Sequence, residues 1–197
     1  KDENKQLENI IDIAQENLDN ARKSVEKLNE DLSDLREVYD AQDKEGLVLW
    51  NNAAAQLEEN KRNVLRCEKA RKKPYFGRID FKDPKQKDEE AYYIGRVGIA
   101  KNASEPVVID WRAPIASVYY ENSLGPCKYT VSSEGTFEID LKRKRTYEIA
   151  DDKLVDFFDS DVVANDELLT KYLAKNKKAV LGEIIATIQQ EQNMIIR

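Results

Sequence analysis

No histidine occurs in this sequence of 197 residues. Imidazole-based catalysis and histidine-ligated metal centres are therefore excluded. Cysteine is nearly as scarce: Cys67 stands in a helical pattern and Cys127 in a loop or strand. Two isolated thiols suit a reducing cytoplasm better than a disulfide scaffold. Seven glycines and five prolines leave few chain breakers. No apolar run approaches a membrane span or a signal peptide. The chain reads as soluble, cytoplasmic and helix-rich, with no membrane contact. It begins at Lys1 and stops at Arg197 inside an apolar periodic run with no glycine or proline after it, which predicts a fragment of a longer protein.

Charge is plentiful but unevenly placed. Charged residues make up 36% of the chain and the net charge is −6. Residues 1–70 carry 11 Lys and Arg against 17 Asp and Glu, and the remainder balances at 21 against 21. All the excess acid thus lies in the first third. That argues against this part gripping a phosphate backbone and favours a basic protein partner or a metal.

Ile11, Ala14, Leu18, Ala21, Val25, Leu28, Leu32, Leu35 and Tyr39 recur at alternating steps of three and four. This is a heptad seam, the mark of a coiled coil. A shorter seam follows in Leu47, Trp50, Ala54, Leu57 and Val64, interrupted by Lys61. The polar turn "YDAQDKEG", residues 39–46, separates the two. Each stripe is buried only against the other, so residues 1–72 are expected to form an antiparallel helical hairpin. At about 1.5 Å per residue such an arm reaches roughly 40 to 60 Å. Its turn is acidic, with Glu37, Asp40, Asp43 and Glu45 against Lys44 alone. Two readings stand side by side: a solvated turn in which Asp43 caps the second helix, or a carboxylate-tipped probe for a basic cavity or a bound Mg²⁺.

From Pro74 the apolar period changes to two. "YFGRIDF", "EAYYIGRVGIA", "EPVVIDW", "ASVYYEN", "CKYTV" and "TFEIDLKRKRTYEI" predict a small antiparallel β-rich module over residues 73–160. In the last run Phe137, Ile139 and Leu141 share one face, which Tyr147 and Ile149 are expected to resume. The intervening "KRKR", residues 142–145, is either a nucleic-acid stripe or a solvated strand face. Glu138, Asp140 and Glu148 close by favour the second. "DWRAP", residues 110–114, predicts a strand entering a fixed turn, with its indole buried and Asp110 pairing with Arg112 or capping a backbone amide. No nucleophile and base accompany it.

Residues 161–197 return to helical spacing, with Asn165 as an N-cap. The fold class is therefore α+β: an antiparallel helical hairpin, a small antiparallel β-rich module, then C-terminal helices. In the closing "IATIQQEQNMIIR", the residues Leu181, Ile184, Ile185, Ile188 and Ile195 form an apolar stripe on which Gln192 also lies. Left buried and unpaired, its amide would cost about 1 to 3 kcal/mol. Either it bonds a neighbouring backbone group at the stripe's wet edge, or it awaits a ligand.

"KKPYFGRIDF" (72–81), "YYIGR" (92–96), "VVIDWRAPIASVYY" (107–120), "LKRKRTYEI" (141–149) and "IATIQQEQNMIIR" (185–197) together resemble the N-terminal part of the HelD family. These are UvrD-like superfamily 1 helicases that act on RNA polymerase. The likeness covers residues 72–197, and "YDAQDKEGLVLW" is similar to the family's hairpin tip. The resemblance implies a chain that continues into a P-loop ATPase using ATP and Mg²⁺. None of the seven glycines here opens a G-x-x-x-x-G-K-[ST] run, so this stretch by itself is no enzyme and binds no cofactor. It also implies that Gln192 reads adenine, accepting from N6 and donating to N7, with Gln189 and Gln190 as weaker candidates. The hairpin would enter the polymerase secondary channel, with Asp40, Asp43 and Glu45 leading and Glu37 behind.

The function this implies is the polymerase-binding, non-catalytic N-terminal part of an ATP-driven motor that remodels or recycles RNA polymerase, monomeric by itself. One alternative is an accessory region of a DNA helicase or repair motor that contacts nucleic acid. Another is a plain coiled-coil adaptor.

Overall fold

The computed structural model of the chain describes residues 2–38, 44–121 and 124–159. The chain divides into two compact units, Lys1–Lys72 and Lys73–Arg197. The helices expected within residues 161–197, and Gln192 with them, lie outside the described residues.

The first unit consists of α1 (Asp2–Val38) and α2 (Lys44–Lys72). Both helices have acids in the first turn and bases in the last: Asp2, Glu3 and Arg36 in α1, then Glu45, Lys69, Arg71 and Lys72 in α2. This arrangement complements the helix dipole at each end. With 37 and 29 residues, the two helices measure about 55 and 44 Å. They run antiparallel, as the Arg22 to Glu68 ion pair at 3.0 Å requires, and Val25 and Val64 line the same groove.

Along α1 burial follows the expected seam at Ala14, Leu18, Ala21 and Leu32, while Val25, Leu28 and Leu35 are half-buried. Two positions differ from the expectation. Ile10, not Ile11, is the fully enclosed residue, and Leu7 extends the stripe one turn earlier. On α2, Leu57 is buried, but Leu47 at the head of the helix is 45% exposed. A lone pair of helices covers only one narrow stripe on each partner, so wider apolar positions stay in water. Midway along the arm this leaves a groove of about 410 Å³ lined by Arg22, Val25, Glu26, Lys61, Val64 and Leu65.

The second unit is built on seven strands: β1 (Gly77–Lys82), β2 (Glu90–Gly95), β3 (Ile99–Asn102), β4 (Glu105–Asp110), β5 (Gly125–Val131), β6 (Gly135–Ala150) and β7 (Lys153–Asp159). The order is β3-β4-β2-β1-β6-β5, and β7 also pairs with β6. The sheet is mixed, which corrects the antiparallel expectation: β2 and β4 run parallel, with Tyr93 opposite Val108 and Gly95 opposite Asp110. Alternation identifies a strand, but the direction of its neighbour is set by the connection. Here "EAYYIGRVGIA" breaks at Arg96–Gly98 into two strands, and the β3–β4 hairpin returns β4 alongside β2.

"ASVYYEN" also departs from the strand expectation. Pro114–Ala116 form a 3-10 turn that runs into α3 (Ser117–Glu121). Proline at the first helical position starts such a turn readily. The consecutive burial of Val118 and Tyr119 is a helical pattern that a five-residue segment cannot announce.

β6 is the spine of the sheet. Its first half pairs with β5, its middle with β1 and its last residues with β7. The hairpin into β7 turns through Asp151 and Asp152, both at positive φ, the conformation a two-residue connection needs to match strand twist. A bulge interrupts the β1–β6 register: Phe81 lies opposite Leu141, whereas Asp80 lies opposite Arg143. One extra residue in a ladder of period two exchanges the faces beyond it. Ile139 and Leu141 therefore join Phe76, Ile79, Phe81, Ile94, Ala116, Val118 and Tyr119 in the main core. Tyr147 does not resume that face. It packs instead with Tyr75, ring centroids 4.9 Å apart, and with Tyr93 at 6.0 Å.

Candidate functional site

Four carboxylates at the turn of the arm and one glutamine are the residues the sequence singles out. Asp40, Asp43 and Gln192 lie outside the described residues. Glu37 belongs to the last turn of α1, and Glu45 is exposed in the first turn of α2. The helices bring the two ends of the acidic segment to one end of the arm, because α1 finishes at Val38 and α2 begins at Lys44. A stiff antiparallel pair can carry such a cluster without unfolding, each helix satisfying its own backbone. Among the described residues no group of three or more Cys, Asp or Glu side chains is gathered in a way that would hold a metal ion.

Sequence reasoning missed what stands directly behind the acids. Leu47, Val48 and Leu49 are 45%, 58% and 57% exposed, and Trp50 beside them is half-buried. Four consecutive apolar residues at 100° steps encircle the helix. The heptad stripe takes in Leu47 and Trp50, but of the four only Trp50 is half-covered. "LVLW" is visible in the sequence as a run, but a heptad accounts for Leu47 and Trp50 only.

The basic string on β6 has a different character. Arg143 Nε donates to Asp80 Oδ2 at 2.6 Å, and Arg78 Nε donates to Asp80 Oδ1 at 2.6 Å. Arg145 grips Asp159 with two parallel bonds of 2.6 and 2.8 Å and lies 4.7 Å over the Phe157 ring. Those bonds, more than the opposing effect of burial, hold the Asp159 carboxyl below its ordinary pKa. Lys142 reaches Asp140 at 2.5 Å. Lys142, Arg143 and Arg145 of "KRKR" are therefore already matched to carboxylates of the same sheet. A phosphate backbone would have to displace those partners, so the string reads as sheet architecture.

"DWRAP" is likewise structural. Asp110 does both things expected of it: Oδ1 accepts from the Arg112 backbone N–H and Nε, each at 2.9 Å, and Oδ2 accepts from Nη2 at 2.8 Å. Trp111 donates its backbone N–H to Gly95 O at 2.9 Å, and its ring packs against the main core. Its indole Nε1 is shielded from solvent and has no hydrogen-bond partner among the described residues.

An antiparallel helix pair with an acidic end, followed by a mixed sheet that carries the "DWRAP" corner, is thus the arrangement to be matched. The family described as DNA helicase IV HelD, N-terminal domain, matches it over residues 1–175. The chain belongs to that family. The HelD match takes in the arm as well as the sheet and ends at residue 175. No curated protein compared with the chain matches it. Among the described residues no helix is long and apolar enough to cross a membrane.

Proposed function

We propose that this HelD N-terminal domain is the RNA-polymerase-engaging part of an ATP-driven helicase-like motor, and that its helical arm enters the polymerase secondary channel. One observation carries the reading: an antiparallel pair of helices of 37 and 29 residues is joined at the end where the sequence places Asp40, Asp43 and Glu45. An arm about 44 to 55 Å long, rigid and negatively tipped, suits a narrow pore lined with basic groups. The paired cations of β6 support the same choice over a DNA-gripping accessory role.

Nucleotide chemistry belongs elsewhere in the motor. No glycine of this chain opens a G-x-x-x-x-G-K-[ST] loop, so its residues do not fit a triphosphate. The contribution assigned to this stretch is Gln192, whose carboxamide matches the N6 and N7 edge of adenine.

The decisive experiment is binding of the chain to purified RNA polymerase core, in competition with other factors that occupy the secondary channel. The expected result is binding that such factors displace and that Asp40→Asn/Asp43→Asn/Glu45→Gln weakens about tenfold or more. Binding to duplex DNA with a steep salt dependence, and none to polymerase, would replace this reading with the DNA-helicase one.

A further inference from the structure

The second turn of α2, Leu47–Trp50, is apolar on every side although it stands near the exposed end of a two-helix arm. We propose that Val48 and Leu49, with Leu47, form an apolar anchor that seats on a nonpolar wall with a rim of Lys and Arg side chains, on the protein that receives the arm. This rests on the polymerase-engaging role proposed above and assigns a different task to each half of the tip.

The helix itself has no use for these side chains. Leu57 and the half-buried Trp50, Ala54 and Val64 supply the stripe that faces α1. Val48 and Leu49 fall off that stripe and keep 58% and 57% of their surface in water. Farther along α2 the off-stripe positions are polar: Asn51, Asn52, Gln56, Glu58, Glu59, Arg62 and Arg66 are all exposed. Ala55 and Leu65 are exceptions; the first is small, and the second lines the mid-arm groove. Apolar exposure is thus concentrated at the end that also carries the acids. Contiguous apolar surface of this kind marks an interaction site.

Charge decides between the possible occupants. Glu37, Asp40, Asp43 and Glu45, against Lys44, lie within a dozen residues of Leu49. A second copy of the chain would bring two such clusters together, and an anionic membrane would repel one. Like charges forced together at an interface cost specificity and affinity alike. A basic-rimmed apolar wall on a protein satisfies both halves of the tip. In such a contact the rim charges govern the rate of approach, and the desolvated apolar centre governs how long the complex lasts.

The test uses the whole chain and purified RNA polymerase core, with association and dissociation followed separately. Val48→Gln/Leu49→Gln keeps good helix formers at both positions and should leave the thermal midpoint of the chain nearly unchanged. It is expected to weaken binding about 30-fold, almost entirely through faster dissociation, with the salt dependence of association unaltered. Asp40→Asn/Asp43→Asn/Glu45→Gln is expected to do the reverse. A wild-type chain that binds polymerase no better than Val48→Gln/Leu49→Gln overturns the anchor and leaves the polymerase reading standing. A wild-type chain that does not bind polymerase at all overturns both. Concentration-dependent dimerisation in sedimentation velocity, abolished by Val48→Gln/Leu49→Gln, would make a second copy the occupant and overturn the proposal. Binding to phosphatidylcholine/phosphatidylglycerol vesicles that is lost in the same variant would overturn it in favour of a lipid surface.

Discussion

Asp80 on β1 and Arg143 on β6 are direct cross-strand partners, and the guanidinium closes on the carboxylate with Nε at 2.6 Å from Oδ2. The other oxygen of Asp80 holds Arg78, and the residue is only 8% exposed. The pair exists because the β6 bulge brings Arg143 to the face of Asp80 instead of the face of Phe81. Asp80→Asn keeps the shape but removes the charge from between two arginines. Charge-assisted hydrogen bonds of this kind are worth about 1.5 to 3 kcal/mol, and Arg143 is partly solvated, so a loss of about 2 kcal/mol is expected. Urea unfolding would measure it. A midpoint equal to that of the parent chain would mean that the arginines re-pair without Asp80.

Gly95 ends β2 where the backbone comes closest to its neighbours. A Cβ there would lie 2.3 Å from the Pro74 carbonyl oxygen and 2.9 Å from Val108 Cγ1. Both neighbours are fixed, one by the main chain and the other by burial, so Gly95→Ala should cost about 2 to 3 kcal/mol. Gly98→Ala is the control, since its nearest neighbour would be at 3.6 Å, an ordinary contact. Equal thermal midpoints for the two variants would contradict the close approach.

Tyr119 sets an alkaline limit. Its hydroxyl is 2.6 Å from Thr146 Oγ1 in the core. Burial pushes its pKa up to about 12, against the smaller opposing effect of that hydrogen bond. A phenol ionises near pH 10 when unfolded, so the folded state binds the proton more tightly. The stabilisation is complete below about pH 10 and is lost as the pH rises toward about 12. Tyr119→Phe should flatten this limb of the stability profile and cost about 1 kcal/mol at neutral pH for the lost hydrogen bond. An unchanged alkaline slope in Tyr119→Phe would assign it to another tyrosine.

The attraction proposed between the acidic segment around Asp40 and Asp43 and a basic pore would be screened by salt, with a reach of about 10 Å at 0.1 M. Association of the chain with polymerase core should therefore slow severalfold between 50 and 300 mM salt, on the order expected for steered encounters. In Asp40→Asn/Asp43→Asn/Glu45→Gln the slowing should largely vanish. Stopped-flow measurements of the two proteins would show whether the slopes differ. Parallel slopes would remove the acids from any role in approach.

Periodicity alone determined the helical pair and most of the strands. Steps of three and four, or of two, reflect the geometry of a single element and need no partner to be read. The acidic end of the arm was legible for the same reason, since adjacent charges remain adjacent in any fold. The parallel pairing of β2 with β4, and the helical turn at Ser117–Glu121, were settled by tertiary packing. So was the face of Tyr147, because one bulged residue near Lys142 exchanges the two sides of a strand and leaves no mark on its alternation. The unpaired state of Val48 and Leu49 was decided there as well. A run of apolar residues looks the same whether a core covers it or water does, and only the absence of a third packed element around the end of α2 leaves it open among the described residues.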